Sequence, residues 1–233
     1  DYPIISTNLK YLSEIKKHLK KHRIKKYKII LEPSKKNTGP AILSAALIKD
    51  IPKQQPLIIL SADHLIDKVN KFNNLLKINK KYLSEKNIFI FGIKPNHPSD
   101  QYGYFISKNI GKNLKNVSKF FEKPTREKAK ILIKKGGYWN SGIFFMRKDS
   151  IINNFQKYQR KIYLNCYFAV KKAKYKKNIY YLNKKIFNKN LTKSFDYAIL
   201  EKLKNIYAIK LDIPWSDLGS WREICLMYNN NIK

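Results

Sequence analysis

The stretch "LIILSADHLI", residues 57–66, decides the fold class. Four apolar residues without alternation read as a strand covered on both faces, the pattern of a buried parallel sheet. The polar break that follows puts Asp63 just past the carboxyl end of that strand, the place where open α/β sheets bind ligands. An Asp there also serves as a helix cap, so a second element is needed before it is given a role.

Outward from this stretch the same alternation repeats. Short β-like runs stand at 3–6, 28–31, 57–61, 88–93, 103–107, 117–121, 142–146 and 206–212. Between them, amphipathic stretches predict helices at 8–22, 39–50, 68–84, 125–135, 149–158, 160–174, 194–204 and 219–228. That order belongs to a mainly parallel sheet covered by helices. Pro124 and Thr125 open one helix and Gly136-Gly137 stops it. With no internal repeat and no Pro/Ser/Gly-rich linker, the expectation is a single domain over 1–233. The glycines form neither a G-x-G-x-x-G nor a G-K-[ST] phosphate loop.

Composition narrows the function classes. A hydrophobic content of 43% with 13% aromatic residues is enough for a core and argues against global disorder. No apolar run approaches the roughly 20 residues of a membrane span, and "DYPIISTNLK" lacks a signal pattern, so no membrane partner is expected. Cys166 and Cys225 form no CxxC pair, which fits a reducing cytoplasm. His18, His22, His64 and His97 make no ligand cluster, although His18 and His22 could share a helix face. The formal charge of +33 invites a nucleic-acid reading. Yet arginine stands only at 23, 126, 147, 160 and 222, whereas base and phosphate recognition favours its planar fork. Lysine is abundant together with Asn, Ile, Tyr and Phe, the bias of a genome poor in G and C. The densest run, "KKHLKKHRIKK" at 16–26, lies where Leu9, Leu12, Ile15 and Leu19 fall at helical spacing, so its lysines read as a solvated face. Weak, salt-sensitive polyanion binding is expected, and no specific nucleic acid.

Four further motifs carry chemistry. "WSDLGSW", 215–221, sets Asp217 between Trp215 and Trp221 and ahead of Gly219. A carboxylate framed by large rings loses water and needs a cation or donor, while Gly219 admits a positive-φ turn; a structural turn with two core indoles is the alternative. "SKFFEKP", 118–124, places Glu122 and Lys123 at a strand end, as a site or as a surface charge pair. "GYWNSGIFFM", 137–146, carries Asn140, Ser141 and Gly142 ahead of an apolar strand, a polar island where the pattern expects core. "NTGPAILSAAL", 37–47, follows "EP" at 32–33 and opens a helix whose N-terminal amides could meet an anion or a ring edge.

Taken in order, "EPSKKNTGPAILSAAL", "SADH", "QYGYF", "FFEKP", "YWNSGIFFM", "SFDYAILEK" and "WSDLGSW" resemble the nucleotidyltransferase domain of the mannose-1-phosphate guanylyltransferases, over essentially the whole chain. The resemblance implies a Rossmann-like three-layer α/β/α fold with a mostly parallel central sheet. It implies GTP plus mannose 1-phosphate giving GDP-mannose plus pyrophosphate, for polysaccharide biosynthesis, with magnesium (Mg2+) as cofactor. Such a reaction joins two polyanions, so the site must neutralise charge and align groups without supplying a covalent nucleophile. Asp63 and Asp217 match the family's metal-binding aspartates, with Trp215 and Trp221 holding Asp217 and Gly219 giving it backbone room. Glu122 matches the acceptor of the sugar hydroxyls and Lys123 a phosphate contact. Asn140 and the backbone near Gly103 would complete the sugar pocket, and Asp196 and Lys202 lie near the product. At the base end Glu32 could accept from guanine's N1–H and N2–H₂, with Asn37 and Thr38 adjacent.

This sequence also departs from the family. It opens at "PIISTN" without counterparts of the family's glycine-rich, arginine-containing phosphate loop and Pro-Lys element, or of its C-terminal isomerase or β-helix extension. "HPSDQYGYF" is a looser version of the family's loop. On this reading the chain alone is expected to be inactive. The alternatives are another sugar-nucleotide pyrophosphorylase using UTP, dTTP or ATP, and a non-catalytic lysine-rich binding module. A homo-oligomer is left open.

Overall fold

The computed structural model describes residues 2–111 and 113–218. Along the chain run β1 (Ile4–Asn8), α1 (Leu12–Lys21), β2 (Lys28–Glu32), α2 (Thr38–Leu47), β3 (Pro56–Ile59), β4 (Leu65–Ile66), α3 (Val69–Asn79), β5 (Ile88–Ile93), β6 (Gly103–Asn109), β7 (Leu114–Phe121) and α4 (Arg126–Lys134). Then come β8 (Tyr138–Arg147), α5 (Lys148–Tyr158), α6 (Arg160–Lys171), β9 (Lys174–Lys176), β10 (Ile179–Tyr181), α7 (Lys184–Phe187), α8 (Phe195–Ala198), β11 (Ile206–Lys210) and β12 (Trp215–Ser216). The elements sort into two compact units, each built from two stretches of chain: one up to Gln55 joined with 148–202, and the other 56–147 joined with the described residues from Leu203 onward. No change of composition marks the three crossings.

The first unit holds a four-stranded sheet in the order β1-β2-β10-β9. β1, β2 and β10 are parallel, and β9 returns antiparallel to β10. α1 covers one face because its apolar residues recur at helical spacing: Leu19 is buried, and Leu12 and Ile15 pack on Ile29, Leu31 and Ile179. Leu9, assigned to that stripe from the sequence, is 61% exposed; it lies in a 3-10 turn (Leu9–Tyr11) before the helix, where the 3.6-residue period does not yet hold. α2 packs against α5, α6 and α8. Lys148, at the start of α5, buries its ammonium and donates to the carbonyls of Ile48 and Ile51 just past the end of α2, so it caps groups that would otherwise be orphaned.

The second unit holds six strands in the order β3-β8-β5-β11-β7-β6, with β6 also paired to β8. β8, β5, β11, β7 and β6 therefore close into a ring, and β3 is attached outside it. By the pairings, β3, β5, β11 and β6 run one way and β8 and β7 the other. Most strands of each sheet thus share a direction, as the α/β class requires. The expectation of a buried parallel strand at 57–61 needs correction: β3 is half-buried and pairs antiparallel with β8. An apolar run reports how many faces are covered, not the direction of the neighbour. Phe72 of α3 packs with Phe89, Phe91, Ile143, Phe145 and Ile209 in one core. α4 lays Ala129 and Leu132 against Tyr104 and Trp139 in another. Its expected caps are present: Thr125 Oγ1 accepts from the Lys128 amide, and Gly136 takes φ +73° after the last turn.

Other boundaries moved. The helix expected at 160–174 ends at Lys171, and 174–181 is a hairpin whose two turn residues, Lys177 and Asn178, have φ 48° and 66°. The helix expected at 194–204 is broken into α8 and a 3-10 turn, Leu200–Lys202. The helix expected at 219–228, with Gly219 and Trp221, lies outside the described residues.

Candidate active site

Two very short strands do the positioning in the second unit. β4 and β12 pair antiparallel, Ile66 opposite Trp215 and Leu65 opposite Ser216. The residues just beyond this ladder, on one strand His64 and Asp63 and on the other Asp217, are thereby brought to the same end. The electrostatics of His64 register the convergence. Burial lowers its pKa, and the carboxylates of Asp63 and Asp217 both oppose that shift. Its ring stands edge-on to Trp215 at 5.3 Å. Asp217 is half-buried, and Asp63 is exposed. After Asp217, Leu218 takes φ +46°, and its amide donates to Ser216 Oγ at 3.2 Å; Gly219, expected to admit the turn, lies outside the described residues. The Tyr102 hydroxyl donates to Asp217 Oδ1 at 3.3 Å.

Beside this pair lies the end of the ring sheet. Gly103, first residue of β6, is opposite Asn140 of β8, and the β6–β7 register (Tyr104 opposite Phe121) sets it next to Glu122. The contact is close: a methyl group placed on Gly103 would lie 2.7 Å from Glu122 Oε2 and 3.5 Å from Asn140 Cβ. Glu122, Gly103 and Asn140 therefore form a row across three neighbouring strand ends. The polar island at 140–142 is not ahead of the strand, as expected, but inside it, with Asn140 and Ser141 buried. The β5–β8 register slips there, between Ile90 and Gly92. Gly142 takes φ +72° in this bulge and faces His64 Cε1, 3.6 Å from where its Cβ would be. A bulge re-aims side chains at a strand's end, and a polar interruption of an apolar run is its trace in sequence. Lys123 is exposed and has φ +43° directly after Glu122.

In the first unit, Glu32 ends β2 and is opposite Asn8 of β1. Its Oε1 accepts from Ser6 Oγ at 2.6 Å, and its backbone carbonyl accepts from Asn8 Nδ2. Burial raises the Glu32 pKa, and the Ser6 hydrogen bond partly offsets the rise. Asn37 has φ 66° and caps α2 by accepting from the Thr38 amide at 2.7 Å. Thr38 Oγ1 accepts from the Phe195 amide, which brings Asp196, in the first turn of α8, to the start of α2. The expectation that the first amides of α2 meet a ligand is corrected here. The Thr38 amide serves Asn37, and the Gly39 amide donates to the Lys193 carbonyl. Lys202 is exposed on the following 3-10 turn. The structure thus gathers Asp63, Gly103, Glu122, Asn140 and Asp217 in one unit and Asn37, Thr38 and Asp196 in the other. Ser6, His64, Tyr102 and Gly142 carry contacts that the motifs did not assign. Tyr102 and Gly142 sat inside quoted motifs, whereas Ser6 has no signal without the β1–β2 pairing.

Among the described residues no group of three or more His, Cys, Asp or Glu is arranged to hold a metal. Two carboxylates brought to one end of the β4–β12 ladder beside the His64 imidazole nevertheless offer hard oxygen donors of the kind magnesium takes, an ion that completes its shell with water and phosphate oxygens. The donor chemistry of Asp63 and Asp217 therefore fits magnesium. Within the described residues no helix is long and apolar enough to cross a membrane.

Residues 1–231 match the Nucleotidyl transferase family. A mannose-1-phosphate guanylyltransferase of Escherichia coli is 37% identical over 84% of this chain and 44% of its own length. The xanthan biosynthesis protein XanB of Xanthomonas campestris is 32% identical over 95% of the chain and 48% of its own length. The chain thus spans about half the length of these relatives. Among solved structures, one titled mannose-6-phosphate isomerase from Helicobacter pylori superposes with a TM-score of 0.82 at 28% identity, covering 91% of this chain and 83% of that one. Sheets whose strands mostly share a direction, two carboxylates at one end of the β4–β12 ladder and a family match along nearly the whole chain lead to one conclusion: the chain belongs to the nucleotidyl transferase family.

Proposed function

We propose that this chain is the nucleotidyltransferase part of a mannose-1-phosphate guanylyltransferase, making GDP-mannose and pyrophosphate from GTP and mannose 1-phosphate for polysaccharide biosynthesis. The observation that carries the reading is the β4–β12 ladder, which brings Asp63 and Asp217 to one end of a strand pair although they are far apart in sequence. The names of the relatives point to the same activity.

Asp63 and Asp217 would hold magnesium, which when bound neutralises phosphate charge and orients the α-phosphoryl group. Glu122 would accept from two vicinal hydroxyls of the sugar, a geometry suited to a carboxylate. The bare backbone of Gly103 lets the sugar come close, and the Asn140 amide, already bound through Oδ1 to the Gly142 amide at 3.3 Å, presents its donors beside it. Lys123, exposed, would meet a phosphate as a mobile point charge. In the other unit Glu32 would read guanine through its N1–H and N2–H₂, pre-set by the Ser6 hydroxyl, with Asn37, Thr38, Asp196 and Lys202 as further substrate contacts. The catalytic contribution of such a site is alignment and charge stabilisation of an in-line displacement.

Pyrophosphate release by the full-length protein tests the proposal, with mannose 1-phosphate and each of GTP, UTP, dTTP and ATP. Turnover is expected with GTP and magnesium and is lost with EDTA. Preference for UTP, dTTP or ATP, or no turnover with any of the four, would overturn it.

A further inference from the structure

We infer that Tyr102 is a positioning residue for Asp217, and through it for the divalent cation; the inference rests on the metal reading above. The main chain at Asp217 is held on both sides, by the β4–β12 ladder before it and by the Ser216 Oγ to Leu218 amide bond after it. The terminal torsion of an Asp side chain is broad and roughly two-fold, so a donor on one carboxylate oxygen selects an orientation that the main chain does not. The Tyr102 hydroxyl arrives from a different part of the sheet, immediately before β6, and donates to Oδ1 at 3.3 Å. Its ring cannot swing freely. It lies 4.8 Å from Trp139 of β8 at 47° and 5.9 Å from Trp215 of β12 at 64°. Trp139 is only 6% exposed and is itself held by the α4 core. The phenol is therefore a fixed donor aimed at Oδ1 of the Asp217 carboxylate. The ring contacts alone would be met by phenylalanine, so the hydroxyl is the part that acts on Asp217.

The test replaces Tyr102→Phe in the full-length protein and reads Mn2+ binding by paramagnetic resonance in the presence of GDP-mannose. GDP-mannose binding is measured separately in EDTA by calorimetry. The expected result is about fivefold weaker Mn2+ binding, somewhat less than a full charge-assisted bond supplies. Metal-free GDP-mannose affinity should stay within about twofold and the melting temperature within about 2 °C. Unchanged Mn2+ affinity overturns the inference. So does an equal loss in EDTA, which would put Tyr102 against the sugar nucleotide directly, or a drop of several degrees in melting, which would make the hydroxyl a structural group. Failure of the parent protein to bind Mn2+ with GDP-mannose would overturn the metal reading as well.

Discussion

Gly103→Ala should separate the sugar site from the stability of the sheet. The added methyl group would stand 2.7 Å from Glu122 Oε2 and 3.2 Å from Phe120 Cζ, where ordinary contact begins at 3.4 Å. The Glu122 carboxylate must retreat by about 0.7 Å, while the Phe120 ring gives a few tenths. Because the atom in the way is the far end of a flexible side chain rather than backbone, the fold should lose little. About 1 kcal/mol, the low end for overpacking, lowers the melting temperature of a chain this size by roughly 2–4 °C. Function should lose more, since a misplacement near 1 Å can cost about a hundredfold. We expect kcat/KM for mannose 1-phosphate to fall roughly thirtyfold, about 2 kcal/mol of transition-state binding, with KM for GTP nearly unchanged. The assay is steady-state pyrophosphate release at saturating GTP beside a thermal melt of the same preparation. A kcat/KM within threefold of the parent would refute the placement of Glu122 as hydroxyl acceptor. A melting loss beyond about 8 °C would show that the backbone, not the carboxylate, yields.

Three other outcomes are expected. Asp63→Asn and Asp217→Asn should each abolish magnesium-dependent binding of GDP-mannose in titration calorimetry and leave the melting temperature within about 3 °C, because one side chain is exposed and the other half-buried; unchanged affinity in both variants would remove the metal assignment. Glu32→Gln should narrow the preference for GTP over ITP, which lacks the N2 amine. It should also alter the pH dependence of stability. A carboxyl whose folded-state pKa is raised by burial holds its proton in the native state after the unfolded chain has lost it, so parent stability falls as pH climbs from the ordinary glutamate value of 4.5 to the raised one; melting curves of the variant should lack that decline. Cys166 is buried against the Pro40 carbonyl and Asn190, and burial pushes its thiol up to about 12, so in a Cys225→Ser background a thiol reagent at pH 8 should label it only after denaturant is added.

How much of this was legible depends on the length of the signal. The runs 28–31, 88–93 and 206–212 became β2, β5 and β11 because three or four apolar residues in succession, rich in Ile, Phe and Tyr, leave few other readings. The Thr125 cap and the Gly136 stop were readable because their chemistry is local. β4 and β12, which assemble the carboxylate pair, are two residues each and carry no periodicity. Asp63 and Asp217 were found through their motifs, and their proximity through the fold. The 174–181 hairpin escaped because its turn is Lys-Asn, without the glycine that usually marks two positive-φ residues in succession, and because the lysines of β9 continue the charge pattern of α6. Antiparallel pairing of β3 was invisible because its partner, β8, is brought from far along the chain. Ser6 and Tyr102 act across strands, and nothing in their own neighbourhood announces a partner.

The interleaving of the two units has a consequence for how the protein is made. On the ribosome the segment up to Gln55 emerges with β1, β2 and α2, but β10 and β9, which complete that sheet, and α5 and α6, which cover α2, belong to 148–202. At 5–20 residues per second the wait for Lys148 lasts roughly five to twenty seconds. The intervening segment cannot finish either, because β11, seated between β5 and β7, is translated later still. Each half-built sheet therefore presents unpaired strand edges to solvent while the intervening residues are made, and both close almost together once residues 179–210 are available. Nascent chains stalled before Ile206 should accordingly be the species that chaperones hold and proteases cut, while release of the next few residues makes them resistant.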